Sequence, residues 1–290
     1  MKSIIKKAII YLINYLNNVV INTDRVVLFK LAKANASRNH RIEDNNPKTW
    51  EFSGFSQNGE DGIIQQLLTY VKNPNKYFVE IGASNGLENN TSFLAVAKGY
   101  TGLMIEGNQL AHESCKNIMS QYAIGVKCLN IFVDKESVFD LKKEMSFINP
   151  DVFSIDIDGN DYYLADTILT SGIRPKIFVV EYNSAFGPEK QITIKYDKNH
   201  QLSKSDEYLL YYGVSLNGWK ELFNRNNYHF VCVDSNGVNA FFIDKNEFES
   251  NQYNGFNGLN FVENFWQKTK FNNNWQYQFD LISEREFVKI

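Results

Sequence analysis

The chain has 290 residues, of which 43% are hydrophobic and 22% charged, a balance typical of a folded globular protein. Its 30 basic and 33 acidic residues give a formal net charge of -3, which excludes a global positive field that would recruit nucleic acid. Three cysteines lie far apart without a C-x-x-C pair, which predicts neither a disulfide framework nor a thiolate zinc site and favours a reducing compartment, the cytoplasm.

The first 21 residues contain three lysines and no acid, and their apolar residues recur at helical spacing. Polar residues interrupt this run too early for a membrane-spanning helix, and no small-residue cleavage site follows it, as a secretory signal requires. The pattern predicts a basic amphipathic helix over residues 1–21. Two roles stay open for it: peripheral contact with the inner face of an anionic membrane, or packing on the protein or on a second copy in a homo-oligomer.

Short apolar runs alternate with segments of helical period through the next part of the chain. The predicted strands are 77–81, 103–106, 126–132, 152–157 and 177–182. The predicted helices are 63–71, 93–97, 110–121, 137–145 and 162–170. Strands that alternate with helices in this way predict a doubly wound α/β fold with a parallel sheet.

The alternation ends after a predicted helix at 216–223, where two apolar runs, 229–233 and 238–243, flank the sequence DSNG. Asn-Gly between two apolar runs predicts an antiparallel hairpin. A seven-stranded, mostly parallel sheet closed by such a hairpin resembles the class I S-adenosylmethionine (SAM) methyltransferases, whereas dinucleotide-binding dehydrogenases keep parallel strands to the edge. We therefore predict an N-terminal helix and polar leader over 1–50, a SAM-binding domain over 51–245, and an aromatic-rich C-terminal cap over 246–290.

The predicted cofactor site is the turn after the first strand, where the sequence EIGASNG spans residues 80–86. Open doubly wound sheets bind ligands beyond the carboxyl ends of their strands, and glycines let the backbone approach a ligand closely. An acid at the end of the second strand, about 20 residues further on, has the position that binds a ribose diol. NAD would favour a G-x-G-x-x-G pattern, which this turn lacks. The candidate cofactor ligands are Glu80, Gly82, Ala83, Ser84, Gly86 and Glu106.

Three segments together resemble the FkbM-like SAM-dependent methyltransferases: SQNGEDG at 56–62, FVEIGA at 78–83 and FSIDIDG at 153–159. The resemblance covers roughly residues 52–243. It implies a Rossmann-like enzyme, often an O-methyltransferase of sugars or other small hydroxylated compounds, and it places Gln57 and Glu60 beside the cofactor. The alternative for this upstream segment is a helix cap by Asp61. The family commonly carries I-D-x-E-G after the fourth strand, whereas this chain has the shorter Asp158 in place of Glu.

Oxygen-bearing side chains gather where the fourth and fifth predicted strands end. Because side chains alternate along a strand, Asp156 and Asp158 should share one face, and so should Glu181 and Asn183 on the neighbouring strand. Asp156 and Asp158 are the candidate catalytic acids, with cofactor contact as a further role for Asp156. Asp158, Glu181 and Asn183 form a candidate Mg²⁺ or Mn²⁺ site, because such cations prefer hard oxygen ligands. The alternative for Asp158 is a turn that caps the following helix.

A sugar hydroxyl is a poor nucleophile until it loses its proton or binds a metal ion. The metal-free alternative therefore needs a base, and His200 is the candidate. It lies in the long segment 183–213 between the fifth strand and the next helix, and long loops in compact domains are often functional. The alternative is a merely exposed loop histidine.

The sequence thus predicts a cytoplasmic, SAM-dependent O-methyltransferase acting on a sugar or glycan-precursor hydroxyl. Two alternatives stay open: a catalytically inactive SAM-binding scaffold or interaction protein, and a methyltransferase for another small hydroxylated metabolite. Nucleic acid is disfavoured as substrate, because base methylation commonly uses an Asn or Asp, two prolines and an aromatic after the fourth strand, where this chain has DIDG.

Overall fold

The structure, a computed structural model, describes residues 23–37, 41–202 and 208–290. The helix predicted at 1–21 lies outside these residues, so its contact with a membrane or a partner stays a prediction. Helix α1 (23–37) packs Val27 and Ala34 against the protein and exposes Leu28 and Phe29. Within the described ranges, no helix is both long enough and apolar enough to cross a membrane.

The main sheet has seven strands: β1 (Tyr77–Ile81), β2 (Thr101–Glu106), β3 (Val126–Asn130), β4 (Val152–Ile155), β5 (Ile177–Glu181), β7 (Tyr228–Val233) and β8 (Asn239–Asp244). Their order across the sheet is β3-β2-β1-β4-β5-β8-β7. Strands β1 to β5 pair in parallel, whereas β8 runs antiparallel to β5 and to β7, as the hairpin signal predicts. This topology confirms the predicted fold class.

Helices cover both faces of the sheet, because its strands carry apolar side chains on both sides. One face packs against α1, α2 (Glu60–Leu68), α3 (Ser92–Lys98) and α4 (Gln109–Tyr122). The other packs against α5 (Ser137–Glu144), α6 (Asp161–Thr170) and α7 (Leu216–Arg225). The two faces are separate apolar clusters, which makes the sheet doubly wound and leaves the carboxyl ends of its parallel strands as the open edge.

Strand β4 ends at Ile155, two residues before the predicted end. The Asp161 carboxylate accepts hydrogen bonds from the backbone N–H groups of Ile157 and Gly159, at 3.0 and 2.9 Å, and so turns the chain away from the sheet. Asp158 consequently lies in the left-handed region, with φ of 54°. The DIDG sequence is therefore a loop held by Asp161, and strand alternation does not determine where its two acids point.

The segment after β5 and the end of the chain form a small second ribbon, in which β6 (Ile192–Ile194) pairs antiparallel with β9 (Phe287–Lys289). The residues between β8 and β9 include α8 (Ser250–Tyr253), α9 (Phe265–Phe271) and α10 (Trp275–Asp280), and two short 3-10 helices occur earlier, at Pro47–Thr49 and Ser184–Phe186. A third apolar cluster joins this region to the segment after β5, with Phe186 and Ile282 at its centre. The aromatic residues of the C-terminal region thus pack on the segment that contains His200.

Candidate active site

A cavity of about 450 Å³ opens beyond the carboxyl ends of β1, β2 and β4, a volume within the range of small-molecule sites. Its wall is made by segments far apart in sequence: the 56–62 motif, the turn after β1, the loop after β4 and the hairpin. The predicted site residues in this wall are Gln57, Glu60, Glu80, Gly82, Ser84, Glu106, Asp156, Asp158 and His200.

The turn after β1 is wedged between the ends of two neighbouring strands. Gly82 has φ of 90°, and a Cβ placed there would lie 1.8 Å from the backbone oxygen of Asp156. The N–H groups of Gly82 and Ala83 both donate to the Ile105 carbonyl, at 2.9 and 3.1 Å. The backbone of the turn is therefore fixed from two sides, and only glycine fits at position 82.

Two predicted cofactor residues support this turn from behind. Ala83 is fully buried, and a Cβ on Gly86 would lie 2.9 Å from the Sγ atom of Cys115 on α4. Their role is packing, which sequence spacing does not distinguish from ligand contact because every residue of such a turn is close to the strand end.

Glu106 stands at the cavity end of β2 with its carboxylate held in place. One oxygen accepts a hydrogen bond from the backbone N–H of Ser84 at 2.8 Å, and the other accepts one from the N–H of Asn108 at 2.7 Å. A carboxylate oxygen has two acceptor positions, so each oxygen keeps one for a ligand hydroxyl. The geometry suits the binding of a diol.

Glu80 is buried beneath the cavity and organises the loop before α3. It accepts hydrogen bonds from the N–H groups of Asn90 and Thr91, at 2.8 and 3.1 Å, and from the Thr91 hydroxyl. Burial raises the pKa of the Glu80 carboxyl to about 7, and these hydrogen bonds oppose the shift. Glu80 shapes the cavity floor and binds the protein's own loop.

Glu60 connects the 56–62 motif to the hairpin across the cavity wall. Its carboxylate accepts hydrogen bonds from the N–H and the side-chain amide of Asn58, at 2.6 and 2.9 Å, and from the amide of Asn239 at 2.8 Å. Gln57 is exposed, and its amide lies 3.5 Å from a carboxylate oxygen of Glu88. The motif thus reaches the cavity through Asn58 and Glu60, with Gln57 at its rim.

The alternative role for this motif, a helix cap by Asp61, does not occur. The residue before α2 is Gly59, which has no side chain with which to cap that helix. One oxygen of the buried Asp61 carboxylate instead accepts hydrogen bonds from the N–H groups of Gly54, Phe55 and Ser56, at 2.7, 2.7 and 3.2 Å. Asp61 therefore shapes the loop that leads into the motif.

Three carboxylates form an acidic cluster at one end of the cavity: oxygens of Asp156, Asp158 and Glu181 all lie within 4.8 Å of one another. Burial and then the repulsion of neighbouring carboxylates raise the pKa of Asp156 and of Glu181 well above the usual range. Glu181, when protonated, donates a hydrogen bond to Asp156, which opposes the rise at Asp156. These shifts favour a proton held within the cluster, and a bound cation would oppose them.

Asn183, which strand alternation places with Glu181, has its side chain hydrogen-bonded within the protein. Strand β5 ends at Glu181, and the fully buried Asn183 side chain caps the short helix Ser184–Phe186 by accepting from the Ala185 N–H at 3.0 Å. Its amide donates to the carbonyls of Leu210 and Tyr212, at 2.6 and 3.0 Å. These bonds fix the long segment after β5 and give Asn183 a structural role, and its ligation of a metal ion stays a prediction.

His200 returns to the cavity because the loop before it is tied to the loop after β4. The Asn160 amide donates to the Asp197 carbonyl at 2.8 Å, and the His200 N–H donates to the same carbonyl at 3.0 Å. The imidazole lies on Gly159, where a Cβ would approach its Cδ2 atom to 2.6 Å. Long-range ties of this kind cannot be read from the sequence of the loop.

The state of the His200 ring suits a proton acceptor. Burial lowers the pKa of His200, and a hydrogen bond to the backbone carbonyl of Asp158 opposes this shift. Its Nε2 atom is shielded from solvent and has no hydrogen-bond partner among the residues that the structure describes. At neutral pH the ring is uncharged, with one nitrogen ready to accept a proton.

Sequence reasoning missed several cavity residues: Asn58, Asn108, Phe132 and Asn239. Phe132 follows β3, is 61% exposed, and lies so close to Gly107 that a Cβ there would be 2.8 Å from the Phe132 Cδ2 atom. Its position as the last residue of the predicted third strand was a usable signal for it. The asparagines gave none, because the chain is rich in asparagine throughout.

No protein-family model matches this sequence, and no curated protein is detectably similar to it. A solved METTL16 methyltransferase domain aligns with 62% of this chain and 65% of that chain, at 13% identity and a TM-score of 0.40. This chain therefore spans less than two thirds of that domain's length.

Two further solved structures have comparable scores. The fibrillarin pre-rRNA processing protein of Methanococcus jannaschii aligns with 66% of this chain and 74% of that chain, at 12% identity and a TM-score of 0.40. The O-methyltransferase TomG of Streptomyces achromogenes, solved with SAM and involved in tomaymycin synthesis, aligns with 62% and 76%, at 15% identity and 0.40. Likenesses this distant carry no functional argument, and the strand order of the sheet defines the fold by itself.

Proposed function

We propose that this protein is a SAM-dependent O-methyltransferase that acts on a hydroxyl of a sugar or glycan precursor. One observation carries the proposal: a single cavity joins a fixed carboxylate suited to a diol, Glu106, to Asp156, Asp158 and His200. A methyl-transfer site needs both parts, because the methyl donor and the attacking oxygen must be held together in line.

The cavity wall supplies the contacts that an adenosine-containing donor requires. The two free acceptor positions of Glu106 suit the ribose hydroxyls, and the exposed ring of Phe132 offers a flat surface for the adenine. The tight backbone at Gly82 leaves room for the rest of the donor to approach the strand end. When bound, SAM would supply an electrophilic methyl group on its sulfonium.

His200 is the residue proposed to take the proton from the substrate hydroxyl. The ring is uncharged at neutral pH, its Nε2 atom has no partner in the described part of the chain, and the hydrogen bond to the Asp158 carbonyl fixes its orientation. A neutral imidazole in this position removes a proton as the oxygen attacks the methyl group. Asp158 on the adjoining loop orients the substrate by accepting hydrogen bonds from its other hydroxyls.

The acidic cluster also has the donor set of a divalent-cation site. Three carboxylates with oxygens within 4.8 Å of one another match the hard ligands of Mg²⁺ or Mn²⁺. Asp156, Asp158 and Glu181 would hold such an ion, which would polarise a bound hydroxyl. Full activity after exhaustive chelation would remove the ion from the proposal, whereas loss of activity that Mg²⁺ or Mn²⁺ restores would support it.

A sugar is proposed as substrate because of the resemblance to FkbM-like enzymes and the polar character of this end of the cavity. The same features would also accept another small hydroxylated metabolite, which the substrate assay distinguishes.

The experiment has two stages. Calorimetry of the purified protein should show binding of SAM and S-adenosylhomocysteine and no binding of NAD. Release of S-adenosylhomocysteine should then be measured with a panel of sugars, nucleotide sugars and non-sugar alcohols. Binding with no turnover on any hydroxylated compound would favour an inactive scaffold, and tight NAD binding without SAM binding would overturn the proposal.

A peripheral membrane contact is proposed alongside this activity. Helix α1 exposes Leu28 by 65% and Phe29 by 69%, directly after the basic segment 1–21. Apolar side chains next to lysines favour the surface of an anionic membrane. Sedimentation with phosphatidylserine vesicles should exceed sedimentation with phosphatidylcholine vesicles and should fall in a Phe29→Asp variant; equal sedimentation in all three cases would contradict the contact.

A further inference from the structure

We propose that Cys115 and Cys128 form an oxidisable thiol pair. Their disulfide would destabilise the cofactor turn, which is the turn after β1 at residues 82–86. The two residues are 13 positions apart in the sequence and form no C-x-x-C motif, yet the fold brings their Sγ atoms within 3.6 Å of each other. Both are free thiols in the structure. The formation of the disulfide depends only on this geometry, whereas its effect on SAM binding rests on the function proposed above.

The pair lies between helix α4, which carries Cys115, and the edge strand β3, which carries Cys128. Cys128 is in register with Met104 on β2, whose sulfur lies 3.6 Å from the Cys115 Sγ. A disulfide requires a sulfur separation of about 2.05 Å, so the two atoms must approach by roughly 1.5 Å. A small shift of α4 over the sheet edge supplies that movement.

The two thiols differ in reactivity in the way that a directional reaction requires. Cys128 is half-buried, and its pKa is lowered because the Cys115 thiol donates a hydrogen bond to it. Cys115 is buried, and the same hydrogen bond together with burial raises its pKa. Cys128 is therefore the thiolate that an oxidant reaches first, and Cys115 is the resolving thiol.

Hydrogen peroxide is the oxidant class proposed. The Cys128 thiolate attacks one peroxide oxygen, the O–O bond breaks, and the products are a sulfenic acid and, after protonation of the hydroxide, water. The Cys115 sulfur then attacks the sulfenic sulfur, forms the S–S bond and expels the oxygen as a second water, with the Cys115 proton completing it. Two thiols are oxidised and one peroxide is reduced to two waters.

The disulfide would act on the cofactor turn through Gly86. A Cβ at Gly86 would lie 2.9 Å from the Cys115 Sγ and 3.2 Å from its Cα, so the turn rests directly on this residue. The Gly86 N–H donates to the Ala83 carbonyl at 3.0 Å, which passes any displacement to the residues beside Glu106. Movement of Cys115 towards Cys128 therefore removes the support of the turn.

The first experiment tests the bond itself. The full-length protein is treated with hydrogen peroxide and analysed by intact mass and peptide mapping, alongside Cys115→Ser, Cys128→Ser and Cys232→Ser. In the unsubstituted protein and in Cys232→Ser, we expect a peptide that links Cys115 to Cys128 and a mass lower by two hydrogens. Dithiothreitol should reverse both changes. Cys128→Ser should lose the reaction, and Cys115→Ser should stop at the sulfenic acid, which dimedone traps. If Cys128 of the unsubstituted protein is oxidised beyond the sulfenic acid and no link to Cys115 forms, the proposal is wrong.

The second experiment tests the effect on the turn. Calorimetry should show SAM binding weakened roughly fivefold or more in the oxidised protein, a modest coupling by allosteric standards, and restored by dithiothreitol. Hydrogen exchange at residues 82–92 gives a readout that needs no ligand, and it should accelerate on oxidation. Unchanged exchange there would overturn the effect on the turn, while absence of SAM binding by the reduced protein would count against the proposed function only.

Discussion

The backbone carbonyl oxygen of Asp156 occupies the space that a Cβ on residue 82 would need, at 1.8 Å from its ideal position. This contact joins the turn after β1 to the loop after β4. The part of the cavity that faces Glu106 and the part that contains Asp156 and Asp158 therefore meet at this backbone junction.

Gly82→Ala should disrupt that junction. The added methyl group must displace the loop after β4, and the φ of 90° at residue 82 strains any residue other than glycine. We therefore expect the free energy of unfolding to fall by about 1–3 kcal/mol and SAM binding to be lost. Urea denaturation and calorimetry provide the measurement. Gly99→Ala is the matched control, since Gly99 also has positive φ, 66°, but no atom of the described residues lies within 4 Å of its Cβ position. A Gly82→Ala protein that binds SAM normally would show that the junction does not shape the site.

Replacing Glu106 should weaken cofactor binding with little effect on folding. Glu106→Ala removes two hydrogen bonds to the ligand, each with a net contribution of about 0.5–1.5 kcal/mol, and we expect affinity for SAM and S-adenosylhomocysteine to fall roughly 10- to 100-fold. Calorimetry measures this directly. Glu113→Ala, which removes an exposed acid from the nearby helix α4, should bind as the unmodified protein does. Equal affinity in both variants would exclude Glu106 as the ribose ligand.

The pH profile of turnover should depend on His200. Burial lowers the pKa of His200 from its usual value, and the base must be uncharged, so the midpoint of the acidic limb of kcat/KM should lie below the usual pKa of a histidine. His200→Asn should lower kcat by about 10²- to 10⁴-fold and remove this acidic limb. His229→Asn on β7, outside the cavity, is the control. If His200→Asn keeps both rate and limb, the base is another group.

The stability of the protein should fall as the pH rises from about 4 to 7. Burial raises the pKa of Asp61 to about 7, so in that range the native state holds a proton that the unfolded chain has lost. The stabilisation that this proton provides is complete below pH 4 and is lost as the pH rises through 7. Between these values the free energy of unfolding should fall by up to about 1.4 kcal/mol per pH unit.

Asp61→Asn should flatten this slope. The amide oxygen can still accept the three N–H bonds from residues 54–56, and the amide nitrogen would replace the oxygen that has no partner in the described residues. Urea denaturation between pH 4 and 8 measures how the free energy of unfolding depends on pH. Asp140→Asn, which replaces an exposed carboxylate, is the control. An unchanged slope in Asp61→Asn would assign the pH dependence to other buried acids.

The prediction of the fold succeeded because it depends on local patterns. Apolar runs and helical periods located strands β1 to β5 and the helices between them to within a few residues, and the Asn236-Gly237 signal identified the hairpin. The glycine turn and Glu106 were found for the same reason, since both lie at strand ends whose position the pattern fixes.

The side-chain directions beyond the strand ends could not be predicted in this way. Strand alternation grouped Asn183 with the acids, but β5 stops at Glu181 and Asn183 turns inward to cap a short helix. Asp158 joins the acidic cluster through a left-handed loop and not through alternation. Once a strand ends, the direction of each side chain depends on which distant group satisfies the backbone.

The sequence by itself determined the order of the elements, the edge of the sheet where a ligand would bind, and the candidate acid for a ribose. Only the tertiary structure decided which residues meet there: His200 over Gly159, Asn239 beside Glu60, and Cys115 against Cys128. The physical reason is sequence distance: periodicity and turn propensity depend on residues only a few positions apart. The site and the thiol pair depend on contacts between residues 13 to 179 positions apart.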